Sequence, residues 1–470
     1  MTGLRRGLRS IVGGAAFTLS LCCVAACTST PRPSTHPVVL IGVDGLEWKV
    51  VLELLAERRL PTLAALMSSG SYGKLRTFKP TLSPIIWTSI ATGTTGKRHG
   101  IRGFIKPSGG PGRPPRLYRS SDRRQKALWN ILSQANRRVD IVGWWNTYPA
   151  ETVNGVMVAQ VNTTTLKQKA RGQGIWKGAL VAGLSDQVFP PGRQAEMLGV
   201  VHAVDVRMPI IEQEIFGDIS GKLGALETKL WKQSRWAFRA DAIYARVARK
   251  LAAEGARNGF DLLAVYFGGA DVTGHRFWRY MYPDAYAHKP DSRQTKLLGN
   301  VVRDYYAYLD GVIGDILGAA PGSVNVMIVA DHGMQVENAG APFRPNDPAN
   351  KVISGAHRKA PPAVFIAAGP DIRKSAPADL TALATSDLTE VGSVFDITPT
   401  VLALLGRPSS RGFDGDVMTK LLSEAFLRAH PVSYVDSYTE PGWNEHADDA
   451  VADKRFKERV DQLRALGYLH

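Results

Sequence analysis

Three aspartates and three histidines in this chain stand where they could hold divalent metal ions. Asp44 closes the apolar run Val38–Val43, and the pair Asp331-His332 closes Val324–Ala330. Asp271 follows the run Leu262–Phe267 after two glycines and Ala270. His275 lies one helical turn beyond Asp271, and His357 ends the stretch Ser354-Gly355-Ala356-His357 ahead of another apolar run, Val364–Ala367. Carboxylate oxygen and imidazole nitrogen are hard-to-intermediate ligands, which suit Zn²⁺ or Mn²⁺ better than a sulfur-seeking metal. Six such side chains exceed what one tetrahedral zinc needs. Two divalent metals about 4 Å apart, one for an attacking and one for a leaving oxygen, account for the inventory. Each residue also has an ordinary alternative: Asp44-Gly45 as a turn, Asp271 as a helix N-cap, His275 as a surface or core histidine. Three acids that each end a separate strand are hard to produce by turn chemistry alone.

Such a site needs a nucleophile, and two hydroxyls compete for the role. Lys79-Pro80-Thr81-Leu82-Ser83-Pro84 precedes a helical pattern that Gly93 closes. Pro84 at the first helical position makes Ser83 the N-cap, where amide N–H groups and the positive dipole end favour an anion. A metal on the same oxygen would favour the alkoxide further. A serine that merely caps the helix fits the same place. Thr81 is the second hydroxyl, and spacing alone leaves the choice open.

The elements that must position these residues read as a doubly wound α/β fold. The runs named above lack polar alternation, which marks strands buried on both faces, as in a mostly parallel sheet sandwiched by helices. Helical patterns fall between them at Trp48–Arg58, Leu60–Ser69, Ala127–Ala135 and Ala237–Glu254. In an open sheet of this kind, ligands bind beyond the carboxyl ends of the strands, which would gather the acids into one crevice. Residues 160–236 read as an insertion or cap over the sheet edge, inside a catalytic body spanning 38–435. Arg102–Arg124 is rich in Gly, Pro and Arg and reads as a long loop. Residues 436–470 form a polar tail with one amphipathic helix, Val451–Leu466.

Composition narrows the classes. The chain has 470 residues, 44% of them hydrophobic, which excludes a wholly disordered protein. Its net charge of +16 suits an anionic substrate or membrane surface. The bases are scattered, so nucleic acid is an unlikely partner. At the start, Arg5, Arg6 and Arg9 precede the uncharged stretch Ile11–Ala26, the layout of a signal peptide over residues 1–26. Val24-Ala25-Ala26-Cys27 resembles the bacterial lipobox, which implies lipidation at Cys27, with residues 27–37 as a Pro-rich tether. The expected location is extracytoplasmic, anchored to a membrane at the periplasmic face or cell surface. Cys22 and Cys23 would leave with the signal, so cysteine catalysis is excluded.

Taken together, the motifs resemble the alkaline phosphatase superfamily, most closely its type I phosphodiesterase/nucleotide pyrophosphatase branch. The blocks that carry the resemblance are VVLIGVDGLEW with PTLAALMSSGSYG, KPTLSPIIWTSIATGTTGKRHGI, GGADVTGHRFW, IVADHGM with SGAH, and FDITPTVLALLGRP with DGDV. The resemblance implies one metal held by Asp44, Ser83, Asp331 and His332, and a second by Asp271, His275 and His357. It implies a metal-dependent hydrolase that cleaves phosphodiester or pyrophosphate bonds through a phosphoryl-enzyme intermediate. An ungapped count back from Gly93 places Ser83 on the family's nucleophilic threonine; a one-residue gap would place Thr81 there. The sequence departs from the family in having Pro84 directly after Ser83, and Ile86 in place of an asparagine that holds phosphoryl oxygens. Two alternatives stay open: a phosphomonoesterase, sulfatase or phospho-group transferase of the same superfamily, or a non-catalytic anion-binding surface lipoprotein.

Overall fold

The computed structural model describes residues 35–107, 116–160, 180, 184–340, 353–359, 361–375 and 378–444. The expected signal peptide, Cys27, most of the tether and the helix expected over Val451–Leu466 lie outside the described residues. So do 108–115 of the Gly/Pro/Arg-rich segment and most of 161–183.

Nine strands build one sheet: β1 (Val38–Val43), β2 (Ser71–Arg76), β3 (Val139–Val142), β4 (Gly155–Val158), β5 (Val188–Phe189), β6 (Leu262–Phe267), β7 (Asn325–Val329), β8 (Ala363–Ala368) and β9 (Glu390–Ser393). Their order across the sheet is β9-β2-β8-β7-β1-β6-β3-β4-β5. Strand β1 lies between β6 and β7 and runs parallel to both, with Val38 opposite Leu262 and Asn325. That register gathers the site. Three strands that start level and run the same way deliver Asp44, the segment after Phe267, and Asp331 to one edge, side by side.

Strands β1 and β6 are buried at every position, as strands covered on both faces must be. The same reading predicted a parallel strand at Val364–Ala367, and there the structure differs. Strand β8 is buried throughout, yet it runs antiparallel to both β2 and β7. Two-sided burial dictates an apolar run but says nothing of the neighbour's direction.

The helices α1 (Trp48–Ala56), α2 (Pro61–Ser69), α3 (Ser83–Thr92), α4 (Gly96–His99) and α5 (Leu128–Gln134) come first in the chain. After them follow α6 (Gln194–Phe216), α7 (Ala225–Asn258), α8 (Gly269–Met281), α9 (Ser292–Leu298) and α10 (Val301–Ala319). The helix expected over Ala237–Glu254 is the later part of the longer α7, which packs on β6, α6, α8 and α10. The described part of 160–236 supplies β5 at the sheet edge, α6 and the first turns of α7.

Helix α3 is buried along its whole length and is fastened through α4. The buried His99 accepts the Ile101 N–H on Nδ1 at 3.2 Å, so its ring proton sits on Nε2, which donates to Ser89 Oγ at 3.1 Å. Burial, reinforced by the Arg123 charge, pushes this imidazole down to about 3. The unfolded chain takes up the proton near pH 6.5. His99 therefore supports the fold above pH 6.5, and its contribution is lost as pH falls from there toward 3. His99→Asn keeps an acceptor for Ile101. It is expected to flatten the loss of stability between pH 6.5 and 4.5 by about 2–3 kcal/mol, measured by denaturant unfolding across that range. Parallel slopes in the two proteins would refute the assignment.

Candidate active site

The edge beyond β1, β6 and β7 holds all seven residues singled out from the sequence, each buried. Asp44 follows β1, and the chain turns at Gly45 with φ of +67°. A Cβ on Gly45 would come within 3.0 Å of the backbone and Cβ of Asp271, so both the turn and the close approach require glycine. Asp271 sits in the first turn of α8 and His275 one turn later, which puts His275 Nε2 3.3 Å from Asp271 Oδ1. Asp331 and His332 follow β7. His357 follows the two-residue strand Gly355–Ala356, and its Nε2 lies 3.8 Å from Asp271 Oδ1.

Two groups of ligand atoms each fall within 4.8 Å of one another: Asp44, Asp331 and His332, and Asp271, His332 and His357. His332 belongs to both, and its ring stacks on that of His357 with centroids 3.9 Å apart. His275 completes the second side, its ring centroid 5.0 Å from that of His357.

Backbone and hydroxyl partners aim the imidazoles. His275 Nδ1 meets the Gly355 carbonyl at 2.7 Å, His332 Nδ1 the Gly333 carbonyl at 3.1 Å, and His357 Nδ1 the Thr81 hydroxyl at 3.3 Å. A ring nitrogen held by such an acceptor carries a proton and turns Nε2 toward the Asp/His cluster, the usual outer support of a histidine that binds metal. Asp44 is held similarly. Its Oδ2 accepts from the Tyr266 hydroxyl at 2.7 Å and from Trp87 Nε1 at 3.0 Å, which leaves Oδ1 for the site. Asp331 Oδ1 accepts the Gly45 and His332 N–H groups at 3.2 and 3.0 Å. Asp331 Oδ2 and His332 Nε2 lie 3.1 Å apart, yet neither makes a hydrogen bond among the described residues, and Asp271 Oδ2 makes none either. Buried ionisable atoms left this way are costly unless a cation stands among them. The donor set therefore fits divalent metal ions.

The electrostatics agree. Burial, followed by the charges of Asp331 and Asp271, pushes Asp44 well above the usual carboxylate range. Burial and Asp271 do the same to Asp331. Burial works against Asp271, but His275, His357 and His332 together outweigh it and hold Asp271 below its ordinary value; Asp271 in turn raises His275 against the effect of that ring's own burial. Burial keeps His332 and His357 neutral, and His332 lowers His357 further. Neutral imidazole is the form that ligates metal, so His275, which Asp271 holds toward its charged form, would give up its Nε2 proton to bind a cation.

Ser83 differs from its expected place by one position. It is the first residue of α3 rather than the N-cap; Leu82 stands at the cap, and Ser83 makes no capping bond. Its hydroxyl instead donates to Asp44 Oδ1 at 3.5 Å. The Thr81 hydroxyl donates to the His357 carbonyl at 2.7 Å, so it is engaged in holding that loop. Ile86 is buried in the core and offers no polar group where the resemblance would place an asparagine. Trp87, Trp144, Trp145 and Trp278 are core residues, with Trp87 also serving Asp44.

Sequence reasoning missed several supporting residues. Asp241 of α7 is fully buried and accepts the Gly268 and Gly269 N–H groups at 3.0 and 2.8 Å, with the Tyr305 hydroxyl at 2.7 Å. It thereby fastens the start of α8, which carries Asp271 and His275. Glu47 accepts the Met334 N–H at 2.8 Å and ties down the loop after His332. The available signal for Asp241 was an acid inside the apolar stretch Trp236–Tyr244; for Tyr266 there was none.

A family model described as type I phosphodiesterase / nucleotide pyrophosphatase matches residues 38–391. No curated protein matches the sequence. Among solved structures, the chain is similar to murine ectonucleotide pyrophosphatase / phosphodiesterase 5, an inactive form in complex with AMP. The identity is 13% over 83% of this chain and 100% of that one, at a TM-score of 0.46. The human counterpart gives the same values. Phosphonoacetate hydrolase from Sinorhizobium meliloti, in complex with phosphonoformate, is 13% identical over 66% of this chain and 59% of that one, at a TM-score of 0.35.

Proposed function

The chain belongs to the type I phosphodiesterase / nucleotide pyrophosphatase family of the alkaline phosphatase superfamily, and from that premise we propose that it cleaves phosphodiester or pyrophosphate bonds with Ser83 as nucleophile. It is a hydrolase of phosphate esters by family; the nucleophile, metals and bond preference are this reading's own. The observation that carries it is the Ser83 hydroxyl, without a capping partner and 3.5 Å from Asp44 Oδ1, at the side of two converging Asp/His groups.

Ser83 Oγ bonds to phosphorus as the bond to the leaving oxygen breaks; the serine proton passes to solvent, and the departing oxygen leaves as an anion or takes a proton back from water. The intermediate on Ser83 keeps the ester group that was not expelled; water then adds its oxygen to phosphorus as the Ser83 Oγ–P bond breaks, a proton returns to Ser83 Oγ, and the phosphate monoester leaves. Two divalent cations, Zn²⁺ or Mn²⁺, would be held by Asp44, Ser83, Asp331 and His332 and by Asp271, His275 and His357; when bound they supply Lewis-acid stabilisation and favour the alkoxide. Asp44 keeps Oδ1 facing the nucleophile because Tyr266 and Trp87 occupy Oδ2. Thr81 and the Gly355 carbonyl hold His357 and His275 in orientation.

For the chain as a whole, the reading keeps residues 1–26 as signal peptide, lipid on Cys27, residues 27–37 as tether, a catalytic body over 38–435 and a tail over 436–470. No helix among the described residues is long and apolar enough to cross a membrane.

The test is metal content together with a substrate panel of bis-aryl phosphate, mono-aryl phosphate and aryl sulfate. About two metals per chain with diester preference is the expected result. Preference for monoester or sulfate would overturn the bond class and leave the site. A chain with neither metal nor turnover would leave the anion-binding lipoprotein reading in its place.

A further inference from the structure

The segment after β3 lies against the helix that opens with Ser83. Strand β3 runs parallel to β6, with Val142 opposite Val265, so the chain beyond Val142 emerges at the same edge as the segment that carries Asp271. There the stretch Trp144–Thr147 is braced from within. The Thr147 hydroxyl donates to the Trp144 carbonyl at 2.6 Å and accepts the Gln160 N–H at 3.0 Å. Between them, Asn146 is half-buried with a φ of +56°. Asparagine enters this left-handed region more readily than most residues that carry a Cβ.

Its amide reaches the first turns of α3. Asn146 Nδ2 donates to the Pro84 carbonyl at 3.1 Å and to Thr88 Oγ1 at 2.9 Å. The Thr88 hydroxyl in turn donates to the same Pro84 carbonyl at 2.7 Å, so three groups close a ring around one peptide oxygen. That oxygen has no proton to give, which fixes the NH₂ end of the amide toward α3. The neighbouring Trp144 places Nε1 on the Trp87 carbonyl at 3.1 Å, and Trp87 Nε1 goes on to Asp44 Oδ2.

The oxygen held in this way belongs to the residue directly after Ser83. The proline ring fixes its own φ, so little freedom separates the Pro84 carbonyl from the Ser83 backbone. A residue followed by proline favours an extended backbone, whereas Ser83 is the first helical residue of α3. The direction of Ser83 Oγ toward Asp44 therefore depends on how firmly the Pro84 carbonyl is held. Among the described residues, Asn146 is the one group from outside α3 that bonds to it.

We propose that Asn146 is a positioning residue for the nucleophile, acting through Pro84 and Thr88; this rests on the reading of Ser83 as the attacking group. Asn146→Gly keeps the left-handed turn and removes the amide. On a bis-aryl phosphate its kcat should fall by about 10–100-fold, because a misplacement of about 1 Å carries a loss of that size. KM and metal content should stay close to wild type. Thr88→Val fills the same space without the hydroxyl and tests the same ring if the glycine variant does not fold. It should lower kcat in the same direction, and Thr88→Ser, which keeps the hydroxyl, should recover the rate. Since Asn146 acts through the serine, Ser83→Ala combined with Asn146→Gly should be no slower than Ser83→Ala alone. Wild-type kcat in both Asn146→Gly and Thr88→Val would overturn the inference and leave Ser83 as nucleophile. Losses that multiply in the double variant, or a rate that excess metal restores, would also overturn it, since Asn146 would then support only the fold. Full activity in Ser83→Ala would remove the reading itself, and this inference with it.

Discussion

Ser83→Ala is expected to lower turnover by at least about 10³-fold while the metal content stays at the wild-type level. The serine contributes one oxygen to a group whose other donors, Asp44, Asp331 and His332, are buried and independently held. On the proposed mechanism, removing it takes away the attacking atom and leaves most of that cage. Thr81→Val should show the opposite split. Its hydroxyl holds His357 through both the carbonyl and Nδ1, so its loss loosens a ligand. Loss of an outer partner of this kind typically weakens metal affinity by about 10–100-fold. The Thr81 variant should therefore regain rate when metal is added in excess, and Ser83→Ala should not. Intact-protein mass after quenching a slow diester reaction gives a second readout, an adduct heavier by the phosphoryl group with its retained ester in wild type and in Thr81→Val. Full activity in Ser83→Ala, with an inactive metal-replete Thr81→Val, would move the nucleophile to Thr81.

How much of this was legible in the sequence depends on whether the information is local. Asp44, Asp271 and Asp331 could be found because each ends a run apolar enough to be a buried strand, and the fold then brings such ends together. Their histidine partners followed from helical spacing at His275 and adjacency at His332. The direction of β8 was not legible, since Ala363–Ala368 is as apolar as any parallel strand and its antiparallel pairing is set by where the chain returns. Strands such as Ser71–Arg76 and Glu390–Ser393 escaped because mixed, half-exposed segments carry little pattern. The residues that aim the ligands were the least visible. Tyr266 reads as one more aromatic in a buried strand, and only the register of β1 against β6 brings its hydroxyl to Asp44. Asp241 serves two amides 27 and 28 residues further on, a contact that no local rule anticipates. The cap at α3 illustrates the limit of boundary rules. A shift of one residue, within the ordinary uncertainty of helix ends, turns Ser83 from a capping hydroxyl into one that faces Asp44.

The same geometry predicts that the site is retained at the expense of the empty protein's stability. Stripping the metals with a chelator should abolish turnover and lower the unfolding midpoint, because bound cations stabilise only the folded chain. Asp331→Asn should separate the two effects. The residue is wholly buried, and burial with the nearby Asp271 disfavours its charged form. An asparagine of the same shape can keep Oδ1 as acceptor for the Gly45 and His332 N–H groups. Its amide would then stand at the present Oδ2, 3.1 Å from a His332 Nε2 that has a lone pair to offer. A buried charge is thus exchanged for a neutral group with a partner, worth about 1–3 kcal/mol to the metal-free fold. Scanning calorimetry of the stripped proteins should place Asp331→Asn a few degrees above wild type. The order should reverse when metal is restored, since the variant lacks a charged ligand. Turnover of the restored variant should fall by at least about 10²-fold. A stripped variant that melts below stripped wild type would mean that Asp331 supports the fold in its own right, and that the cluster does not need a cation to be tolerated.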